Sequence, residues 1–129
     1  MVRIGALLVA GVAGTLALGL TSGIATAGDA EAGKKVFAKC AACHVVEKGQ
    51  NKVGPTLHGV IGRPAGTVEG FKYSDAMKNS GIVWDEASID AYLENPKGFV
   101  KGTKMAFAGL KKPEDRANVI AYIAEASKD

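Results

Sequence analysis

The sequence predicts an all-α domain of three to five helices joined by long loops that wrap a bound group. Three observations lead there. Apolar residues recur at helical spacing in several capped segments, most clearly near the two ends of the domain. No stretch alternates apolar and polar residues in the manner of a strand. The residues Cys40-Ala41-Ala42-Cys43-His44 form the Cys-x-x-Cys-His signal for covalent haem attachment.

In that motif each thiol can add across one vinyl group of a porphyrin. The next residue, His44, can then ligate the iron. Other readings of a Cys pair fit less well. A redox-active Cys-x-x-Cys belongs in a βαβ context, which is missing. A zinc site needs a second ligand pair, and His44 with His58 makes a poor one. The two cysteines could also form one disulfide in an export compartment.

Residues 1–27 differ in composition from the rest. Arg3 is followed by Ile4 to Leu20, a run of apolar residues and glycines with Thr15 among them, and Ala25-Thr26-Ala27 supplies a small-x-small cleavage pattern. This reads as a secretory signal peptide, leaving a domain of residues 28–129 exported to a periplasm. The rival reading is an uncleaved membrane anchor, since no charge falls between Arg3 and Asp29. The whole chain of 129 residues has a formal charge of +3. Total charge therefore says little about partners, and its distribution says more. A domain of this size is small for a self-sufficient core, and a buried haem would supply apolar bulk.

Each element has a local cause. Asp29 caps a helix from Ala30 to about Lys39, with Glu31 in its first turn and Val36, Phe37 and Cys40 on one face. Gly33 inside it marks either close approach of another helix or a tolerated surface position. From Val45 to Phe71, glycines and prolines mark turns in a long loop suited to wrapping a flat ring. Ser74 caps a short helix to Ser80. Asp85 caps one from Glu86 to about Glu94, with Trp84 and Ile89 at its staple positions, and Pro96 ends it. Lys97 to Leu110 is loop, and Pro113 opens a last helix to about Ser127 with Val119, Tyr122, Ile123 and Ala126 on its buried stripe.

The other face of the iron needs a second donor for plain electron transfer. His58, Met77 and Met105 are available. His58 follows His44 closely, and Met77 lies in a helix where methionine usually packs. Met105 lies in an irregular stretch far enough along the chain to close a pocket, and spacing favours it. Read without further context, Trp84 and Tyr92 are core aromatics, Arg63 a solvated charge and Tyr73 a half-buried ring with a wet hydroxyl.

The ordered segments Cys40-Ala-Ala-Cys-His44, Gly54-Pro55-Thr-Leu-His58-Gly, Gly70-Phe-Lys-Tyr73-Ser, Trp84, Tyr92-Leu-Glu-Asn-Pro96 and Gly102-Thr-Lys-Met105 resemble class I cytochrome c. The likeness lies in the branch of mitochondrial cytochrome c and bacterial cytochrome c2, and it covers nearly all of residues 28–129. The resemblance implies one haem c on Cys40 and Cys43, with His44 and Met105 as axial ligands. It implies that the Pro55 carbonyl holds the His44 ring, and that Arg63, Tyr73 and Trp84 bond one propionate. Thr103 would serve the other propionate region, and Tyr92 would donate towards the Met105 sulfur. Gly33 and Phe37 would pack on Tyr122 and Val119. Three positions depart from the mitochondrial pattern: Met77 replaces an asparagine, Lys101 a proline and Gly98 a lysine.

The resemblance further implies a soluble, monomeric one-electron carrier rather than an enzyme. Its partners would be a cytochrome bc complex and a terminal oxidase or photosynthetic reaction centre. A haem catalyst with an open sixth position is the competing class, but no distal acid–base pair is evident. Lys39, Lys52, Lys97, Lys104, Lys111 and Lys112 flank the Cys40–His44 and Met105 segments. They are either ordinary solvated charges or a basic ring that steers acidic redox partners. No aromatic platform interleaves with them, which argues against nucleic acid.

Overall fold

A computed structural model describes residues 28–128, with Gly11 and Gly14 besides. The expected signal peptide, residues 1–27, lies outside the described residues apart from those two glycines. The helices are α1 (Ala30–Phe37), α2 (Asp75–Lys78), α3 (Glu86–Glu94), α4 (Pro96–Phe99) and α5 (Pro113–Ala126). Among the described residues there is no strand, although an isolated antiparallel bridge pairs Pro64 with Val83. No helix there is long and apolar enough to cross a membrane.

Local signals set the helix ends. The Asp29 carboxylate accepts from the Glu31 and Ala32 amides, the Ser74 hydroxyl from Met77, and Asp85 closes a capping box with Ser88. One element departs from expectation. Pro96 does end α3, but it also opens α4, because Asn95 caps Gly98 and proline suits the first helical position. The expected loop therefore begins with one helical turn.

α1 lies across α5. A Cβ on Gly33 would run into the Asn118 carbonyl and the Tyr122 side chain, so this glycine is where the two backbones meet. The alternative of a tolerated surface glycine is set aside. The Phe37 and Tyr122 rings meet at a tilt with centroids 5.1 Å apart, and Asn118 Oδ1 accepts from the Asp29 amide at 2.8 Å. Phe37, Trp84, Ile89, Tyr92, Leu93, Val119, Ile120 and Ile123 form the core. Burying such side chains contributes about 25 cal/mol per Å² of apolar area removed from water and supplies the main driving force.

Candidate haem site

The winding of α1 continues past its last regular residue. The Cys40 amide donates to Phe37 O at 2.8 Å, Cys43 to Cys40 O at 3.0 Å, and His44 to Cys40 O at 2.9 Å. Both free thiols and the imidazole thereby reach one open-sided cavity of about 360 Å³. Burial raises the Cys40 thiol above its ordinary pKa, partly offset by the Lys39 charge; the neighbouring Cys43 adds to the rise.

His44 is held in one orientation. Its Nδ1 lies 2.8 Å from Pro55 O, and a Cβ on Gly54 would collide with the ring. Since a carbonyl only accepts, Nδ1 carries the proton and Nε2 keeps its lone pair. Burial lowers the His44 pKa and the Arg63 charge adds to this, against the opposing pull of the Pro55 carbonyl. The ring is thus favoured in its neutral, ligating form.

Of the three candidates for a second donor, Met77 and Met105 line the cavity and His58 is not among its lining residues. The His58 backbone serves the loop instead: its amide donates to Thr56 Oγ1 at 3.1 Å and its carbonyl accepts from Arg63 at 2.9 Å. Arg63 also donates to Thr56 O at 3.0 Å, so its guanidinium is built into the loop rather than solvated. Tyr73 accepts from the Val68 amide through its hydroxyl at 3.1 Å, which leaves the hydroxyl hydrogen to donate elsewhere. Both side chains line the cavity, as does Trp84, whose ring lies 5.2 Å from that of Tyr92.

The hydroxyls of Tyr92 and Thr103 lie 2.7 Å apart, and Thr103 Oγ1 accepts from the Met105 amide at 3.3 Å. A helix residue thus grips the Met105 loop through a loop threonine. Burial raises the Tyr92 pKa, and the bond to Thr103 partly offsets it.

The proposed docking lysines separate into groups. All six are exposed. Lys39 and Lys104 line the cavity rim, and so does Lys72, which sequence reasoning missed because it lies far from both haem segments in the chain. Lys52 and Lys111 are tethered, to Ala41 O at 2.8 Å and Glu94 O at 3.0 Å. Lys97 lines a separate cleft with Phe107, and Lys112 sits at the start of α5. Sequence reasoning also missed Asn51, which accepts from the Thr56 amide at 3.0 Å and donates to Glu69 O at 3.2 Å, joining two arms of the loop.

These residues fit a haem. Two thiols, a neutral imidazole and a thioether are a donor set for a covalently held porphyrin iron. Around them Leu57, Phe71, Ile89, Leu93, Val119 and Ile123 give apolar walls suited to a flat macrocycle. Arg63, Tyr73, Trp84 and Thr103 bring side chains with hydrogen-bond donors to the cavity lining.

The cytochrome c family model matches residues 30–127. Cytochrome c type-1 of Ascaris suum is 56% identical over 102 residues, covering 78% of this chain and 91% of that protein. Cytochrome c2 of Rhodomicrobium vannielii is 57% identical over 99 residues, covering 76% and 79%. Cytochrome c of Euglena viridis is 55% identical over 97 residues, covering 74% and 95%. A cavity that fits a haem, in a chain matched by the family model over residues 30–127 and more than half identical to these relatives, makes this chain a member of the cytochrome c family: a class I c-type cytochrome, an electron carrier with one covalently attached haem c.

Proposed function

We propose that the chain is a soluble, monomeric one-electron shuttle of a periplasm, exported by residues 1–27 and working between a cytochrome bc complex and a terminal oxidase or reaction centre. One observation carries the site assignment: Cys40, Cys43, His44 and Met105 share the walls of a single cavity. Cys40 and Cys43 would hold the haem through thioethers, and His44 and Met105 would ligate its iron. When bound, the haem supplies a one-electron Fe(II)/Fe(III) couple.

The protein's own residues keep that exchange simple. Pro55 and Gly54 fix the His44 ring, so the imidazole does not rotate between states. Thr103 and Tyr92 hold the Met105 loop closed. The apolar walls exclude water and favour the less charged state. With His44 and Met105 both serving as ligands, no position on the iron would be left for a substrate, which supports carriage rather than catalysis. Lys39, Lys72 and Lys104 at the rim steer acidic partner surfaces to the cavity mouth.

The test is a redox titration following the visible and near-infrared spectra of both states, with mass spectrometry of the purified holoprotein. The expected result is one low-spin haem c with methionine ligation on a polypeptide starting at Gly28. A high-spin ferric spectrum, or rapid carbon monoxide binding to the reduced protein, would overturn the carrier reading. A mass that includes residues 1–27 would replace export and cleavage with a membrane tether.

A further inference from the structure

Arg116 is a guanidinium on the buried face of α5, with its side chain only 7% exposed. Its Nε donates to Asp90 Oδ1 on α3 at 2.8 Å. Its Nη1 donates to Leu110 O at 2.9 Å and to Lys111 O at 3.2 Å. The two carbonyls belong to the downstream end of the loop that carries Met105. That end is fastened twice more to the last turn of α3: the Leu110 amide donates to Leu93 O at 2.7 Å, and Lys111 Nζ to Glu94 O at 3.0 Å. Gly109, at φ +111°, lets the backbone press against the Leu93 and Glu94 carbonyls, where a side chain would collide.

We propose that Arg116 and Asp90 form a latch on this loop and set how readily Met105 leaves its axial position; the inference rests on the reading of Met105 as a ligand. The physical reason is the cost of opening. Met105 and Leu110 lie on one short run of chain, so moving the thioether away from the cavity pulls on the Leu110 anchor. Peeling the anchor strips two carbonyls from a guanidinium that is otherwise out of water. Asp90 fixes where that guanidinium points, with its fork geometry meeting a carboxylate on one side and backbone on the other. Upstream, the loop is held by the Tyr92–Thr103 pair. The latch governs the opposite end, so the two ends can be loosened separately.

Arg116 and Asp90 are positioning residues, and the test reads loop opening rather than overall stability. Ferric holoprotein is mixed with increasing imidazole, and the limiting rate at which the methionine–iron band disappears is measured. Asp90→Asn keeps the shape and loses the charge; it raises the limiting rate about fivefold, a modest figure because Asp90 is 44% exposed. Arg116→Lys loses the fork and raises the rate about tenfold. Asp90→Glu restores the parent rate to within about twofold. Glu114→Gln, an exposed change at the start of α5, leaves it unchanged.

A fall in denaturation midpoint for Asp90→Asn with no change in limiting rate would overturn the latch, leaving the pair a fold support. If Arg116→Lys fails to yield holoprotein, the two Asp90 variants decide the matter alone. Absence of the methionine–iron band in the unmodified protein would overturn both the ligand reading and the latch. Presence of the band with an indifferent Asp90→Asn would overturn the latch only.

Discussion

His44 Nδ1 lies 2.8 Å from the carbonyl oxygen of Pro55, while the backbone of Gly54 lies against the same ring. One residue orients the imidazole and its neighbour makes room for it. Gly54→Ala puts a methyl group into the ring and costs about 1–3 kcal/mol of stability in a denaturant titration of the holoprotein. The displaced ring loses its acceptor and becomes a weaker base, so ferric iron is less stabilised and the reduction potential rises. An unchanged potential would show that the Pro55 bond does not tune the ligand.

The α1–α5 crossing at Gly33 is the second point of tight contact. Gly33→Val forces the helices apart and destabilises by about 3 kcal/mol, at the upper end for overpacking because the obstacle is the Asn118 backbone rather than a movable side chain. Thermal unfolding of the variant beside Gly33→Ala, which has the smaller clash, gives the ordering.

The Tyr92–Thr103 pair predicts an asymmetry. Tyr92→Phe removes one hydrogen bond and costs about 1 kcal/mol. Thr103→Val removes the same bond and also the acceptor of the Met105 amide, so its cost is about twice as large. The imidazole displacement rate distinguishes them, with Thr103→Val opening faster.

Asp85 predicts an acid response. Its carboxyl is held below its ordinary pKa, chiefly by the Ser88 backbone amide and then by the Ser88 hydroxyl. A lowered folded-state pKa contributes stability that is present above the unfolded value, 3.8, and lost as pH falls through the folded one. Asp85→Ala is therefore less stable than the parent at neutral pH. The gap closes as pH drops below 3.8. A gap of constant size through that range would assign the effect to helix propensity instead of the cap.

The lysines predict a gradient. Lys39→Glu and Lys104→Glu, at the cavity rim, slow electron transfer to an acidic partner about tenfold at low salt and progressively less as salt screens the charge. Lys112→Glu, away from the rim, has a smaller effect. Stopped-flow rates against ionic strength check both.

What could be read from the chain was what local chemistry writes. Asp29, Ser74, Asp85 and Pro113 announce their helices because a cap or a fixed φ acts on its own few neighbours. Cys40 to His44 is legible for the same reason. α4 was not, because Pro96 both stops one helix and starts the next, and its stopping role is the one that pattern shows. Arg63 looks solvated in the sequence because the carbonyls of Thr56 and His58 that hold it are assembled by the loop's path. Arg116 did leave a trace: it falls in helical register with Val119, Ile120 and Ile123, a charge on an apolar stripe. Its partners on α3 and the Met105 loop could come only from the tertiary fold.

The meeting of α1 with α5 also has a consequence for how the molecule is made. The first helix finds its main packing surface in the last one, and the Gly59 amide bonds the carbonyl of Ser127 at 2.7 Å. Contacts of such long sequence separation form slowly and cannot form at all on a partial chain. The α1–α5 closure therefore waits on the whole domain, wherever it folds, and the turn bearing Cys40 and Cys43 gains its support from α5 only then.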